Sequence, residues 1–143
     1  MINLLPEPYE IIVHDAQNSF PNECCGFLFG TETGHQRNIT HALVVNNAKE
    51  GDKKRRFEIS ARDYLHAERF ASEQELTLLG IYHSHPLHPA IPSEHDRVAA
   101  QPFFSYVIVS VMPNGVAETL SWRLNEAQVF EPEPVNIPSL IQQ

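Results

Sequence analysis

A chain of 143 residues, 42% hydrophobic and 20% charged, with a mean hydropathy of -0.29, has the length of one globular domain that can bury a core without disulfides. Ten basic residues against eighteen acidic ones leave a net charge of -8, which excludes nucleic acid as a partner, because phosphate binding needs clustered Lys and Arg. No run approaches the roughly 20 apolar residues of a membrane span, and MINLLPEPYE lacks the basic-then-apolar layout of a secretion signal, so no membrane partner and a cytoplasmic location are expected.

Pro6 and Pro8 open a helix over residues 9–20, where Ile11, Ile12 and Ala16 recur at helical spacing until Pro21 breaks it. Residues 24–30, CCGFLFG, read as a buried strand. The two adjacent cysteines form no CxxC, so neither a disulfide nor a cysteine zinc site is expected; they read as packing within that strand. A turn at Thr33-Gly34 leads to a second strand, residues 38–47. The run Lys53-Lys54-Arg55-Arg56 reads as a solvated turn, with an acidic partner as the alternative, and Arg56 to Ile59 as a short strand. Ser60 and Asp63 cap a helix that continues to about Gln74. Residues 76–85, LTLLGIYHSH, form a central strand that ends at Pro86, and three prolines mark residues 86–92 as a loop. Ser93 starts a short helix to about Gln101. Residues 104–112 are a strand, Pro113-Asn114-Gly115 a hairpin turn, and residues 116–124 the returning strand, with an edge strand expected at 128–130. The result is an α+β domain over residues 1–130, helices packed on a mixed, mostly antiparallel central sheet, followed by an extended or disordered tail over residues 131–143.

Histidine is the anomaly. Of eight, His83, His85, His88 and His95 fall within thirteen residues. Strand side chains alternate, so His83 and His85 share a face, about 6–7 Å apart along the strand, close enough for both to reach one small cation. Asp96 stands in the first turn of the next helix, where it reads equally as the capping partner of Ser93 or as a third ligand folded over the histidines. Two histidines and a carboxylate would leave a fourth position open, the arrangement of a catalytic rather than a structural zinc. Glu94 and His95 should point away from that face, and His88 sits between prolines, so none of the three is counted as a ligand.

His83-Ser84-His85-Pro86, six residues, then Ser93-x-x-Asp96, resembles the His-Ser/Thr-His-Pro-x6-Ser-x-x-Asp signature of the JAMM (MPN-plus) zinc metalloproteases. Upstream, Pro21-Asn22-Glu23-Cys24-Cys25-Gly26-Phe27-Leu28-Phe29-Gly30 is similar to the P-x-E-x-C-G-x-L-x-G strand of the small stand-alone prokaryotic members. The likeness runs from about Tyr9 to Leu124. It implies the cytidine-deaminase-like JAMM/MPN fold and one zinc ion per chain on His83, His85 and Asp96. It also implies hydrolysis of an amide or isopeptide bond, with Glu23 as the catalytic glutamate. The substrate it implies is a ubiquitin-like sulfur-carrier protein, cut after its C-terminal Gly-Gly. In such chemistry a base must move a proton from water to the leaving nitrogen, a task that suits Glu23 if its strand lies beside the histidines. The developing oxyanion needs a donor, which the Ser93 hydroxyl can supply.

Three other readings fit these residues less well. A metal-binding scaffold that recognises ubiquitin-like partners without hydrolysis has no need of the full set Glu23, His83, His85, Ser93 and Asp96. A zinc deaminase needs His-x-Glu and Pro-Cys-x-x-Cys, which the chain lacks. A cysteine peptidase needs a thiolate, which Glu23 beside Cys24 disfavours. An edge strand near the site is expected to bind the substrate tail by backbone pairing.

Overall fold

The computed structural model describes residues 1–138. Its frame is an eight-stranded sheet in the order β7-β6-β5-β4-β2-β3-β1-β8. In chain order the elements are β1 (Ile2–Leu4), α1 (Pro6–Ser19), β2 (Cys25–Thr33), β3 (Gln36–Val45), α2 (Ala61–Glu73), β4 (Thr77–Pro86), α3 (Glu94–Ala99), β5 (Ser105–Met112), β6 (Gly115–Leu124), β7 (Phe130–Glu133) and β8 (Val135–Asn136). Four of the seven pairings are antiparallel; β4 with β5, and β1 with both β3 and β8, run parallel. The expected mixed, mostly antiparallel α+β architecture is therefore observed.

Each helix lies on the sheet because its sequence has one apolar face. In α1 the buried residues Tyr9, Ile12, Val13 and Ala16 recur every three or four positions. They pack on Leu28, Leu79, Tyr82, Val107, Val109 and Val111, and the Tyr9 hydroxyl hydrogen-bonds the Thr119 hydroxyl at 2.9 Å. The opposite face carries Phe27, Phe29, Ile81 and Tyr106, covered by Ala67 and Ala71 of α2. Ser60 caps α2 by accepting from the Asp63 N–H. Two glycines allow close strand contacts: a Cβ on Gly30 would lie 1.7 Å from the Asn38 carbonyl oxygen, and one on Gly80 would lie 2.5 Å from that of Ser105.

The observed structure departs most from the sequence expectations in five places. Ile2–Leu4 form an unexpected strand, paired to β3. Arg56 to Ile59 is extended but outside the sheet: Glu58 donates its N–H to the Asn47 side-chain oxygen and accepts from the Ala48 N–H. The short helix ends at Ala99 rather than Gln101. The tail expected to be extended or disordered from residue 131 stays in the sheet as far as Asn136, because Glu131–Glu133 pair with β6 and Val135–Asn136 with β1. Gln128, placed in the edge strand by sequence, instead turns the chain with a φ of 64°. The rest of the expected tail, residues 139–143, lies outside the described residues.

Candidate metal centre and active site

The site forms at the carboxyl end of β4, where the strand alternation begun by Ile81 carries His83 and His85 onto the α2 face of the sheet, beyond the end of that helix. Both imidazoles are about 1% exposed. Their Nε2 atoms are 3.1 Å apart, and Asp96 Oδ2 lies 3.3 Å from the first and 3.2 Å from the second. The Asp96 carboxylate is aimed there by a reciprocal cap at the start of α3. Ser93 N–H donates to the same Oδ2 at 2.9 Å, and Asp96 N–H donates to the Ser93 hydroxyl oxygen at 3.0 Å. The two sequence readings of Asp96, cap and convergent donor, are thus both realised by one side chain.

The donors fit a small divalent cation. Ligands bound at 2.0–2.1 Å in a tetrahedral arrangement stand about 3.3 Å apart, which is the size of this triangle. His85 Nδ1–H donates to the Pro89 carbonyl oxygen at 2.8 Å, so its Nε2 presents a lone pair to an anionic oxygen, a contact that a cation or proton must relieve. Burial holds the His83 imidazole below its ordinary range, and the ring is therefore neutral. Burial alone would raise the Asp96 carboxyl, but the adjoining imidazoles and the Ser93 N–H outweigh it and keep the group ionised. Two imidazoles and a carboxylate are the donor set that zinc favours.

Glu23 completes the cluster, on the residue before the first cysteine. Its N–H donates to the Lys53 carbonyl at 2.7 Å. The next residue is tied to β4: Cys24 N–H donates to the Ser84 hydroxyl at 2.8 Å, and Ser84 N–H to the Cys24 carbonyl at 3.2 Å. Ser84 therefore faces away from the two histidines that flank it and anchors the strand start that carries Glu23. The Glu23 side chain is 3% exposed, and its Oε1 has no partner among the described residues. Burial, then the nearby Asp96 charge, push its carboxyl up to about 8, against a smaller opposing effect of Arg56.

The five expected site residues are brought together. Ser93 is half-buried at the rim; its oxygen accepts from Asp96 N–H, which leaves its own proton free to donate outward. Glu94 lies exposed on the outer side of α3, paired with Arg97. Cys24 and Cys25 are buried; burial, followed by the Asp15 charge, pushes the Cys25 thiol up to about 12 and the Cys24 thiol further in the same direction. Neither is a thiolate near neutral pH.

Sequence reasoning passed over three contributors. Asn47 donates to the carbonyls of both Glu23 and Arg56 and so holds the basic turn against the site. Phe57 stacks on the His83 ring at 4.4 Å between centroids. It also lines a cavity of about 180 Å³ beside His83 and Asp96, with Ile59, Tyr64, Ile81, Tyr106 and Phe130 among the walls. His88 packs against His85 with its ring tilted by 38°. The histidine density of residues 83–95 was the only sequence signal for the last of these, and the isolated Asn46-Asn47 pair the only one for the first.

A sheet with a helix on each face, and a His-x-His strand end facing the carboxylate of a capped helix beside a buried glutamate, defines the JAB/MPN class of domains. The family described as prokaryotic homologs of the JAB domain matches residues 7–125, and the chain belongs to it. It is similar to the CysO-cysteine peptidase of Mycobacterium tuberculosis, 31% identical over 127 residues that cover 88% of this chain and 84% of that one. A desampylase of Pyrococcus furiosus is 27% identical over 123 residues, 86% of this chain and 81% of the relative. The solved structure of a Desulfitobacterium hafniense protein superposes with a TM-score of 0.83 at 29% identity, covering 95% of this chain and 92% of that one.

Proposed function

We propose that the protein is a zinc-dependent peptidase that hydrolyses the amide or isopeptide bond after the C-terminal Gly-Gly of a ubiquitin-like, sulfur-carrier type of protein. The observation that carries this reading is the triangle of His83 Nε2, His85 Nε2 and Asp96 Oδ2, with sides of 3.1–3.3 Å, beside the buried, unpartnered Glu23 carboxyl. The names of the mycobacterial and archaeal relatives support the peptidase class and a protein-conjugate substrate. A non-hydrolytic scaffold would leave the burial of Glu23 as a cost with no return.

When bound, zinc would supply Lewis acidity and lower the pKa of a coordinated water towards 7. Glu23, whose carboxyl stands beside the donors, takes the proton of the attacking water and delivers it to the leaving nitrogen. The Ser93 hydroxyl donates to the carbonyl oxygen as charge develops on it. β4 itself is central, between β5 and β2, so the edge near the site that pairs with the substrate backbone lies elsewhere. The free edge is the extended segment 57–59. Glu58 spends its N–H and C=O on Asn47 and Ala48, and strand alternation leaves those of Phe57 and Ile59 on the other edge, without partners among the described residues. Glycines suit such a groove because they let the main chain come close to the donors.

The test is incubation of the zinc-loaded protein with a sulfur carrier extended by one or more residues beyond Gly-Gly, read by mass spectrometry. Release of the carrier ending in Gly-Gly is expected, with loss of activity on chelation and a much slower reaction for a free tail peptide. Equal rates on arbitrary short peptides would overturn the carrier-specific reading.

A further inference from the structure

A second group of donors lies on the other side of His85. His88 Nδ1–H donates to the Pro86 carbonyl oxygen at 3.1 Å, which leaves Nε2 with its lone pair. The ring packs on His85 with 4.2 Å between centroids. Ligand atoms of Glu23, His85 and His88 all lie within 4.8 Å of one another. His85 has no donor to spare, since its Nε2 faces Asp96 and its Nδ1 is bonded to Pro89. Glu23 and His88 do: one contributes an oxygen buried without a partner, the other a free imidazole nitrogen. Carboxylate and imidazole together are ligands for zinc and neighbouring divalent ions.

We propose that Glu23 and His88 form a second, weaker divalent-cation site beside the His83, His85 and Asp96 set. Its occupation engages the Glu23 carboxylate, so zinc in excess of the first ion switches hydrolysis off. It is the weaker site because it has two protein ligands rather than three. The inhibitory consequence rests on Glu23 being the base; the site itself does not.

The experiment is calorimetric titration of the metal-free protein with zinc alone, repeated on His88→Ala, His88→Asn and Glu23→Gln, each checked for folding by circular dichroism. The wild type should take up two ions, one tight and one weak. Each variant should keep the tight event and lose the weak one, or weaken it by about 10-fold or more. A single event in the wild type, or a second event unchanged in the folded variants, would overturn the site. In a parallel assay, wild-type hydrolysis should fall as zinc rises past one equivalent, while the ratio of activity at high zinc to that at one equivalent stays near one in His88→Ala. If no metal loading gives hydrolysis, the peptidase reading fails and the ion count still decides the site; two ions with no inhibition overturn the switch alone.

Discussion

Replacing Glu23 by Gln should abolish turnover and, in the metal-free protein, raise stability. The carboxyl is pushed up to about 8 from an ordinary 4.5. Folding therefore raises its proton affinity, and the unfolded state loses its proton first as pH rises. Stability then declines from about pH 4.5 and continues to decline until the folded group also ionises near pH 8. At pH 7 the gap spans about 2.5 pH units at about 1.4 kcal/mol each, or about 3 kcal/mol. Glutamine has no proton to lose, and any cost of burying its amide is the same at every pH. Urea unfolding of both proteins in a chelator, from about pH 4.5 to about 9, should show the variant gaining about 3 kcal/mol on the wild type by pH 7 and levelling off above about pH 8. With zinc restored, hydrolysis by the variant should fall about 10²–10⁴-fold while zinc content is unchanged. A stability difference that does not vary with pH would mean that the folded carboxyl is solvated, and the argument for a poised base would fail.

His85→Ala should reduce bound zinc from about one per chain to little or none, measured by metal analysis of the purified proteins; equal zinc in both would refute the donor assignment. Ser84→Ala strands the buried Cys24 N–H and should cost about 1–3 kcal/mol in unfolding experiments, with zinc retained and kcat reduced through the displaced Glu23. Cys24→Ser and Cys25→Ser should keep most activity, and thiol alkylators should leave the zinc-loaded enzyme active, because both thiols are buried and neutral; a folded but dead cysteine variant would revive a thiol mechanism.

The legible parts of this molecule are those where a chemical need coincides with a period. His83 and His85 sit two apart in an apolar run, and Ser93 and Asp96 three apart at a helix start, so strand and cap geometry alone bring them near each other. The illegible parts depend on partners distant in the chain. Three residues at Ile2–Leu4 are too few to show alternation, and they become a strand only because β3 and β8 flank them. Prolines at 132 and 134 suggested a loose tail, yet on a sheet edge a missing N–H is tolerated. Arg56 to Ile59 has strand composition, but the Asn47 side chain takes the place of a neighbouring strand. Glu23 taken by itself reads as any acid at a strand start; the resemblance of residues 21–30 singles it out, and its burial shows only once β4 is laid beside it.

His83, Ser84 and His85 point alternately to opposite sides of β4, the central strand: the histidines to the reaction, the serine to the strand that bears the glutamate. Sliding β4 by one residue would turn both imidazoles into the α1 core and bring a hydroxyl to the surface where they belong. The proposed catalytic apparatus is thus inherited together with the ladder of the whole sheet and has no small step by which to drift. The parts that can recognise a substrate, residues 46–59 and the proline loop 87–92, hang outside that ladder. Evolution can rewrite them one residue at a time, so lineages of such domains can exchange substrates while the proposed site at the end of β4 stays the same.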